Sequence, residues 1–420
     1  MRKPELLLPA GSMETMETAV RYGADAVYSG GKKLSLRAKA HNFTVEELRN
    51  AILLAHAEGV LVYVTANIFA RESDLAEAIP FFRELQGLPP DARPDGLLVA
   101  DPGMLVLAGE HCPGIPVHLS TQANTTNALS CRFWYDAGVR RVVLARELSL
   151  SQIRGIREQV PGELSLECFV HGAMCISYSG RCLLSRAMTG RDANGGACAH
   201  PCRYRYALVE EKRPGEYMPV EEDAQGTEIL ASNDLCMLEH LPALMEAGVD
   251  SFKIEGRMKN ALYVGGVARA YRAAIDLITD GREEEYRAAI PALLKEVRAV
   301  STRELTTGFY FEEELSAGDP GKAPLGTRRF LGVVQGTTTA GDFYLEQRNR
   351  FAAGDVIRPM KRTFGKDPCL RVRAIYGEDG EPVREAVHPK ERVRVITDVP
   401  GAVEAGDVLY EETGDGQMSG

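Results

Sequence analysis

The sequence predicts an α/β fold, a (β/α)8 TIM-like barrel with a cysteine-rich insertion after its seventh strand, followed by a small C-terminal β-barrel domain. Three observations predict it. Eight short apolar runs rich in Val, Ile and Leu alternate with helical patterns over the first 255 residues, as parallel strands buried on both faces require. Polar and glycine residues gather directly after each run, where a barrel has its C-terminal mouth. Past residue 329 the pattern changes to short alternating pieces separated by Gly-Asp turns, the mark of a compact all-β unit.

The eight strands are expected at residues 5–8, 25–29, 60–67, 96–100, 116–121, 141–145, 164–170 and 251–255. Helices are expected between them at 14–22, 45–58, 73–85, 104–111, 127–136, 151–159 and 236–247. Thr44 followed by Glu46 and Glu47 reads as an N-cap with acids in the first turn. Gly23, Gly59, Gly138 and Gly248 stand where helices stop, in the position that favours a left-handed residue. Residues 173–226 break the alternation and form a long βα insertion, a length that is usually functional. Two further helices are expected at 261–279 and 283–300, then β pieces at 330–335, 342–345, 355–359, 370–376 and 392–396. The resulting division is a barrel over 1–310, an accessory β-barrel over 325–413 and a flexible tail at 414–420.

Composition narrows the function. The chain has 420 residues, 49 basic against 59 acidic, for a net charge of −10. That balance excludes a nucleic-acid packaging protein, whose phosphate contacts need a basic excess, but not an RNA-modifying enzyme with local basic surfaces. No apolar run is long enough to span a membrane, and the N-terminus lacks a signal-peptide stretch, so a cytoplasmic enzyme is expected. Nine cysteines in such a compartment are not a disulfide framework.

Five of those nine fall between residues 175 and 236, spaced Cys175-x6-Cys182-x15-Cys198-x3-Cys202 and then Cys236. Thiolates at this density point to a soft metal, zinc or an iron–sulfur cluster. Only Cys198 and Cys202 have the tight spacing of a zinc knuckle, and the wide, glycine-rich loop suits a cluster better. Gln122, Arg146, Lys253 and Arg257 are the other candidates. They are long polar groups at strand ends, where a plain turn has little use for them.

Glu167-Cys168-Phe169-Val170-His171-Gly172-Ala173-Met174-Cys175 followed by Gly180-Arg181-Cys182-Leu183-Leu184-Ser185 resembles the signature of the collagenase-like peptidase family of unknown catalytic type. Leu7-Leu8-Pro9-Ala10-Gly11, Tyr28-Ser29-Gly30, Leu119-Ser120-Thr121-Gln122-Ala123-Asn124, Arg146-Glu147-Leu148-Ser149 and Lys253-Ile254-Glu255-Gly256-Arg257 are similar to the same family. The resemblance covers about residues 4–310, and the C-terminal β-domain resembles the family's accessory domain.

What the resemblance implies is oxygen-independent hydroxylation by a protein carrying a 4Fe-4S cluster. The branch it resembles makes 5-hydroxyuridine at the wobble position of tRNA, with prephenate as hydroxyl donor. Carried over by position, Cys175, Cys182 and Cys198 are cluster ligands. The fourth is Cys236, which matches some branches, or Cys202, which matches others; Cys236 is favoured. Glu167 and His171 flank the cluster loop and are the candidate proton shuttles. Asn67 and Gln122 each carry a donor and an acceptor for a pyrimidine edge, and Arg146, Lys253 and Arg257 suit donor carboxylates or RNA phosphate.

Three basic segments are candidate RNA contacts: Lys32, Lys33, Arg37, Lys39 and His41; Arg203-Tyr204-Arg205-Tyr206; and Arg358, Lys361, Arg362 and Lys366. Other readings are peptidase activity, hydroxylation of ribosomal RNA, and hydroxylation of a small aromatic quinone precursor. The chain contains no H-E-x-x-H and no G-x-S-x-G, so a hydrolytic nucleophile has no recognisable carrier. The extra β-domain favours RNA over a small aromatic. A protein partner or a homo-oligomer is compatible with all of these.

Overall fold

A computed structural model describes residues 2–37, 40–175, 177–201, 233–311 and 326–413, and between 202 and 232 the backbone of four short strands. The chain divides into two compact units, one of Met1–Ser12, Asp25–Met258 and Arg303–Ala323, the other of Met13–Ala24, Lys259–Thr302 and Pro324–Gly420. The tail expected at 414–420 lies outside the described residues.

The first unit holds the barrel. Its strands are β1 (Glu5–Pro9), β2 (Ala26–Gly30), β3 (Leu61–Ala66), β4 (Gly96–Val99), β5 (Val117–Leu119), β6 (Arg141–Val143), β7 (Ser165–Ala173) and a closing strand, Ser251–Ile254. Each pairs in parallel with the next, and the closing strand pairs with both β7 and β1, so no edge remains. The expected helices follow as α2 (Val45–Ala57), α3 (Glu72–Gly87), α4 (Pro102–His111), α5 (Ala128–Asp136) and α6 (Leu150–Arg157). Thr44 starts α2 with a full capping box: its Oγ1 accepts from Glu47 N at 3.1 Å, and Glu47 accepts from Thr44 N at 2.7 Å. Gly23, Gly59, Gly138 and Gly248 all have positive φ, as helix stops in that conformation need.

One expected element is corrected. Cys236 does not open a helix over 236–247. Asp234–Cys236 is a short strand running antiparallel to the end of β7, with Asp234 opposite Ala173 and Cys236 opposite His171. A 3-10 turn, Leu238–His240, precedes the helix Leu241–Glu246. Pro242 has no N–H to donate and is accommodated only in a first helical turn, so the helix begins there.

The barrel interior near the N-terminal ends of its strands is ionic. Arg141 grips Glu5 through two bonds of 2.6 and 3.0 Å and reaches Glu167 at 3.2 Å. Lys253 donates to the other oxygen of Glu167 at 2.6 Å. Tyr63 and Ser251 hydroxyls donate to Glu5 at 2.6 and 2.8 Å. Two carboxylates therefore balance two cations in a largely buried layer, which is what allows charge there at all.

The second unit contains α1 (Met13–Arg21), two long helices, Ala261–Thr279 and Glu283–Val300, and a six-stranded antiparallel barrel. Its strands, in spatial order, are Val356–Met360, Val408–Glu412, Arg328–Thr337, Phe343–Gln347, Arg392–Thr397 and Leu370–Tyr376, closed by pairing of the first with the last. The strand Val408–Glu412 was not expected from the sequence, which offered there only the Gly406-Asp407 turn. Leu331, Phe343, Leu345, Val393, Val395 and Leu409 are among the fully enclosed residues of its core. Arg269, 1% exposed at its side chain, sits between Glu296 at 2.6 Å and Asp367 at 2.6 Å, and Arg328 reaches the same Glu296 at 2.7 Å. Among the described residues no helix is long and apolar enough to cross a membrane.

Two outcomes follow from these ion networks. Arg269→Met leaves Glu296 and Asp367 short of their buried partner and is expected to cost about 3–5 kcal/mol, read as a drop in the denaturant midpoint. The second concerns Glu5. Burial alone would raise its pKa, but Arg141, with hydrogen bonds from Arg141, Tyr63 and Ser251, outweighs burial and holds it below the usual 4.5. A depressed carboxylate contributes stability that is present above its unfolded value and lost as pH falls through its folded one. Stability is therefore expected to decline below pH 4.5, and Glu5→Gln, measured across the same acid range, should show a shallower decline.

Candidate active site at the barrel mouth

Above the ionic layer, at the C-terminal ends of the strands, a cavity of about 440 Å³, counting the space open to solvent, is lined by residues from seven strands or their following loops. Asn67, Gln122, Arg146, Lys253 and Arg257 all line it. The sequence located these five by one rule, that side chains just past strand ends converge on the mouth. Tyr28, Arg37, Phe169 and Glu255 line it too.

Four cations and one carboxylate thus face one small space. Glu255 is shared: Arg37 approaches it at 3.3 Å and Arg146 at 3.8 Å. Burial would raise the pKa of Glu255, yet Arg37, Arg146, Arg257 and Lys253 together hold it low. Glu255 in turn is the main reason the pKa of Arg37 is raised. Arg146 lies over the Phe169 ring at 3.8 Å and donates to Ala173 O at 2.8 Å. Lys253, besides its bond to Glu167, sits 4.5 Å from the centre of the Tyr28 ring. Both are cation–π contacts of the kind worth most when water is excluded.

Arg257 is fixed more tightly than the rest. Its guanidinium donates to Ser35 Oγ at 2.6 Å and Thr65 Oγ1 at 3.2 Å, and bonds Asn42 Oδ1. Burial, reinforced by Arg37, pulls its pKa down to about 10, which leaves it cationic at neutral pH. Two glycines make its position possible. A Cβ on Gly30 would stand 2.6 Å from Arg257 Nη2, and one on Gly11 2.1 Å from Arg257 O. Close approach, not turn geometry, is what demands glycine at both places.

The neutral polar side is equally ordered. Asn67 accepts from Leu36 N at 3.3 Å and donates to Ser120 Oγ at 3.3 Å. Ser120 Oγ in turn donates to Gln122 Oε1.

Glu167 and His171, the candidate proton carriers, lie elsewhere. Both are fully buried on β7, and neither lines the cavity. Glu167 belongs to the ionic layer beneath and meets the cavity only through Lys253. His171 lies beyond a register shift in the pairing of β7 with the closing strand, next to Ile254 and opposite Cys236. That shift moves it off the alternation that places Glu167 and Phe169 inward.

The insertion is pinned over the mouth by its described part, 177–201. Ser179 N and Oγ donate to Glu147, the latter at 2.6 Å. Arg181 donates to Gln122 O at 2.9 Å and lies 4.9 Å from the Phe69 ring. Asn194 O accepts from Phe69 N at 3.1 Å. The insertion therefore bridges the loops after β3, β5 and β6. Internally, Asn194 bonds both the N and the O of Cys182 at 3.1 Å, and Ala199 N donates to Ser185 Oγ at 3.0 Å. The segments carrying Cys182 and Cys198 are thus held side by side.

Cys175 is exposed two residues past β7, Cys182 and Cys236 are buried and Cys198 is half-buried. Cys202 lies outside the described residues. The donor set is right for a soft metal, but among the described residues no three His, Cys, Asp or Glu gather around one point.

The basic segments are mostly not free patches. Lys33 pairs with Glu77 at 3.0 Å and Arg37 turns into the cavity, while Lys39 lies outside the described residues. So do Arg203, Tyr204, Arg205 and the side chain of Tyr206. In the second unit Lys361 is tied to Asp407 at 2.7 Å and Arg358 to Asp367 O at 3.0 Å. Sequence reading thus missed Arg37 and Glu255 as cavity residues. Glu255 was findable, since Lys253, Glu255 and Arg257 recur with the two-residue period of a strand.

Comparison with known proteins agrees with this architecture. The family model for peptidase family U32 matches residues 11–318, and that for the peptidase family U32 C-terminal domain matches 327–409. The chain is 37% identical to the tRNA hydroxylation protein P1 of Bacillus subtilis, over 94% of this chain and 92% of that one. It is 36% identical to the 23S rRNA 5-hydroxycytidine C2501 synthase of Escherichia coli, over 68% of this chain and 41% of that one. It is 35% identical to a collagenase of Porphyromonas gingivalis over 74% of each. With one family model matching well over half of the chain and the other the region that follows it, the chain belongs to peptidase family U32.

Proposed function

We propose that this chain is an RNA-modifying enzyme that hydroxylates tRNA, making 5-hydroxyuridine at the wobble position with prephenate as the hydroxyl donor. One observation carries the reading. The likeness to a tRNA hydroxylation protein runs over 94% of this chain and 92% of that one, and the cation-rich lining of the cavity supports an anionic co-substrate. Prephenate is a dicarboxylate, and Arg37, Arg146, Lys253 and Arg257 outnumber Glu255 by four to one in the cavity lining. Guanidinium pairs with carboxylate bidentately, which fixes the donor's orientation as well as its affinity.

The remaining residues fall into roles by position. The wobble base must leave its stack to enter the mouth, and Asn67 and Gln122 present amides suited to a pyrimidine edge. Tyr28 and Phe169 supply flat apolar walls beside the cations. Glu167 positions Lys253, and His171 stands at the junction of β7 with the strand of Cys236. A 4Fe-4S cluster is proposed on Cys175, Cys182 and Cys198, with Cys236 or Cys202 as fourth ligand; when bound it would supply redox or Lewis-acid chemistry. A tRNA substrate implies a cytoplasmic enzyme. Hydroxylation of ribosomal RNA is the second reading, and the shorter share of that relative covered, 41%, is why it stands second.

The test has two parts. Anaerobic purification should yield close to four irons and four sulfides per chain, and tRNA from a deletion strain should lack 5-hydroxyuridine. Zinc alone, or modified tRNA that persists in the deletion strain, would overturn the reading. Arg257→Met, which removes a buried charged donor while keeping bulk, is expected to lower kcat/KM for the donor by about 10- to 100-fold, seen in steady-state kinetics with donor concentration varied.

A further inference from the structure

The second unit carries a surface that none of the basic segments singled out in the sequence includes. Three adjacent strands of its barrel, Phe343–Gln347, Arg392–Thr397 and Leu370–Tyr376, turn alternate residues inward to the core and outward to solvent. Their register places Tyr344 opposite Arg394, and Arg394 opposite Tyr376. A Tyr-Arg-Tyr row therefore crosses three strands, with neighbours one strand spacing apart, about 4.8 Å.

The guanidinium of Arg394 lies 4.3 Å from the centre of the Tyr376 ring, and that of Arg392 lies 4.5 Å from that of Tyr344. Arg373, extruded where the pairing of Leu370–Tyr376 with its neighbour shifts register, is exposed with no ion pair among the described residues, and Arg392 is likewise exposed and unpaired to any acid. Asp342 accepts from Arg394 at 3.2 Å, and Glu346 is taken up by Arg348 at 2.7 Å. Glu346 stands opposite Arg392 in the register but spends its carboxylate on Arg348, and among the described residues no ion pair joins an acid to Arg373 or Arg392.

We propose that this face binds single-stranded RNA, its arginines meeting phosphates and its Tyr–Arg stacks receiving bases. The proposal rests on the reading of the chain as a tRNA-modifying enzyme. Unpaired cations on a chain of net charge −10 mark where a polyanion can approach, since the molecule as a whole repels one. Aromatic rings interleaved with arginine on the outer face of a small β-barrel combine the two terms of sequence-tolerant single-strand binding, charge and stacking. An acidic protein segment would use the charge but has no need of the stacked rings.

The test uses the full chain and whole tRNA. The exposed pair Arg373→Ala/Arg392→Ala is compared with wild type by fluorescence anisotropy across a salt series, with thermal unfolding as a check on folding. About a tenfold loss of affinity is expected, with the slope of log K against log salt flattened by one to two contacts' worth, about 0.7 each for single strands. The variant Arg373→Lys/Arg392→Lys should keep the slope and lose part of the affinity. Unchanged tRNA binding by the alanine variant, with wild type binding normally, overturns the face alone. If wild type binds no tRNA, the face and the functional reading fall together. If the alanine variant loses polyglutamate binding but retains tRNA, the face belongs to an acidic protein and the proposal is overturned.

Discussion

Everything at the barrel mouth stands on the buried chain Glu5, Arg141, Glu167 and Lys253. Parallel barrels normally fill their interior with branched apolar side chains, and here a charged layer replaces one of those fillings. Such a layer is tolerable only when complete, because an unpaired charge in a dry interior costs several kcal/mol. Its completeness fixes where Lys253 stands, and Lys253 is the floor of the cavity above. The floor is thus set by electrostatic closure, and the walls by the Tyr28 and Phe169 rings that flank it.

The same solution recurs in the second unit, where Arg269 is held between two carboxylates from different elements. In both places an arginine with a rigid fork joins segments far apart in sequence, 136 residues for Arg141 and Glu5 and 98 for Arg269 and Asp367. Apolar contact is non-directional and sets only proximity. Bidentate pairs also set register, and register is what aligns Lys253, Glu255 and Arg257 with the strands across the barrel.

The fold was legible because its signals are local. All eight barrel strands were visible as apolar runs with polar ends, and Thr44 and the helix-stop glycines carry their meaning within a few residues. The helix expected at Cys236 failed because a three-residue strand has no periodicity to detect, and Pro242 marks the helix start only once the strand is known. Five cavity residues were legible because strand ends must converge. Arg37 was not, since its loop is long and its partner Glu255 lies 218 residues on. Glu167 was readable as important but not as buried support for Lys253. No local pattern distinguishes a carboxylate that lines a cavity from one a layer below it. Charge runs misled for a related reason: Lys361 and Arg358 find acceptors far along the chain.

The way the insertion is fastened has a kinetic consequence. The barrel's amides bond to carbonyls of neighbouring strands in an unbroken ring, so they can exchange with solvent only when the ring itself opens. Ser179 N, Cys182 N and Ala199 N instead bond to side-chain oxygens of Glu147, Asn194 and Ser185. Rotation of one side chain frees each of them. These three amides of the cysteine-bearing segment are accordingly expected to exchange by local opening, with the barrel still closed. Such opening would bring Cys182 and Cys198 to solvent, where Cys175 already stands, while the strands beneath stay folded.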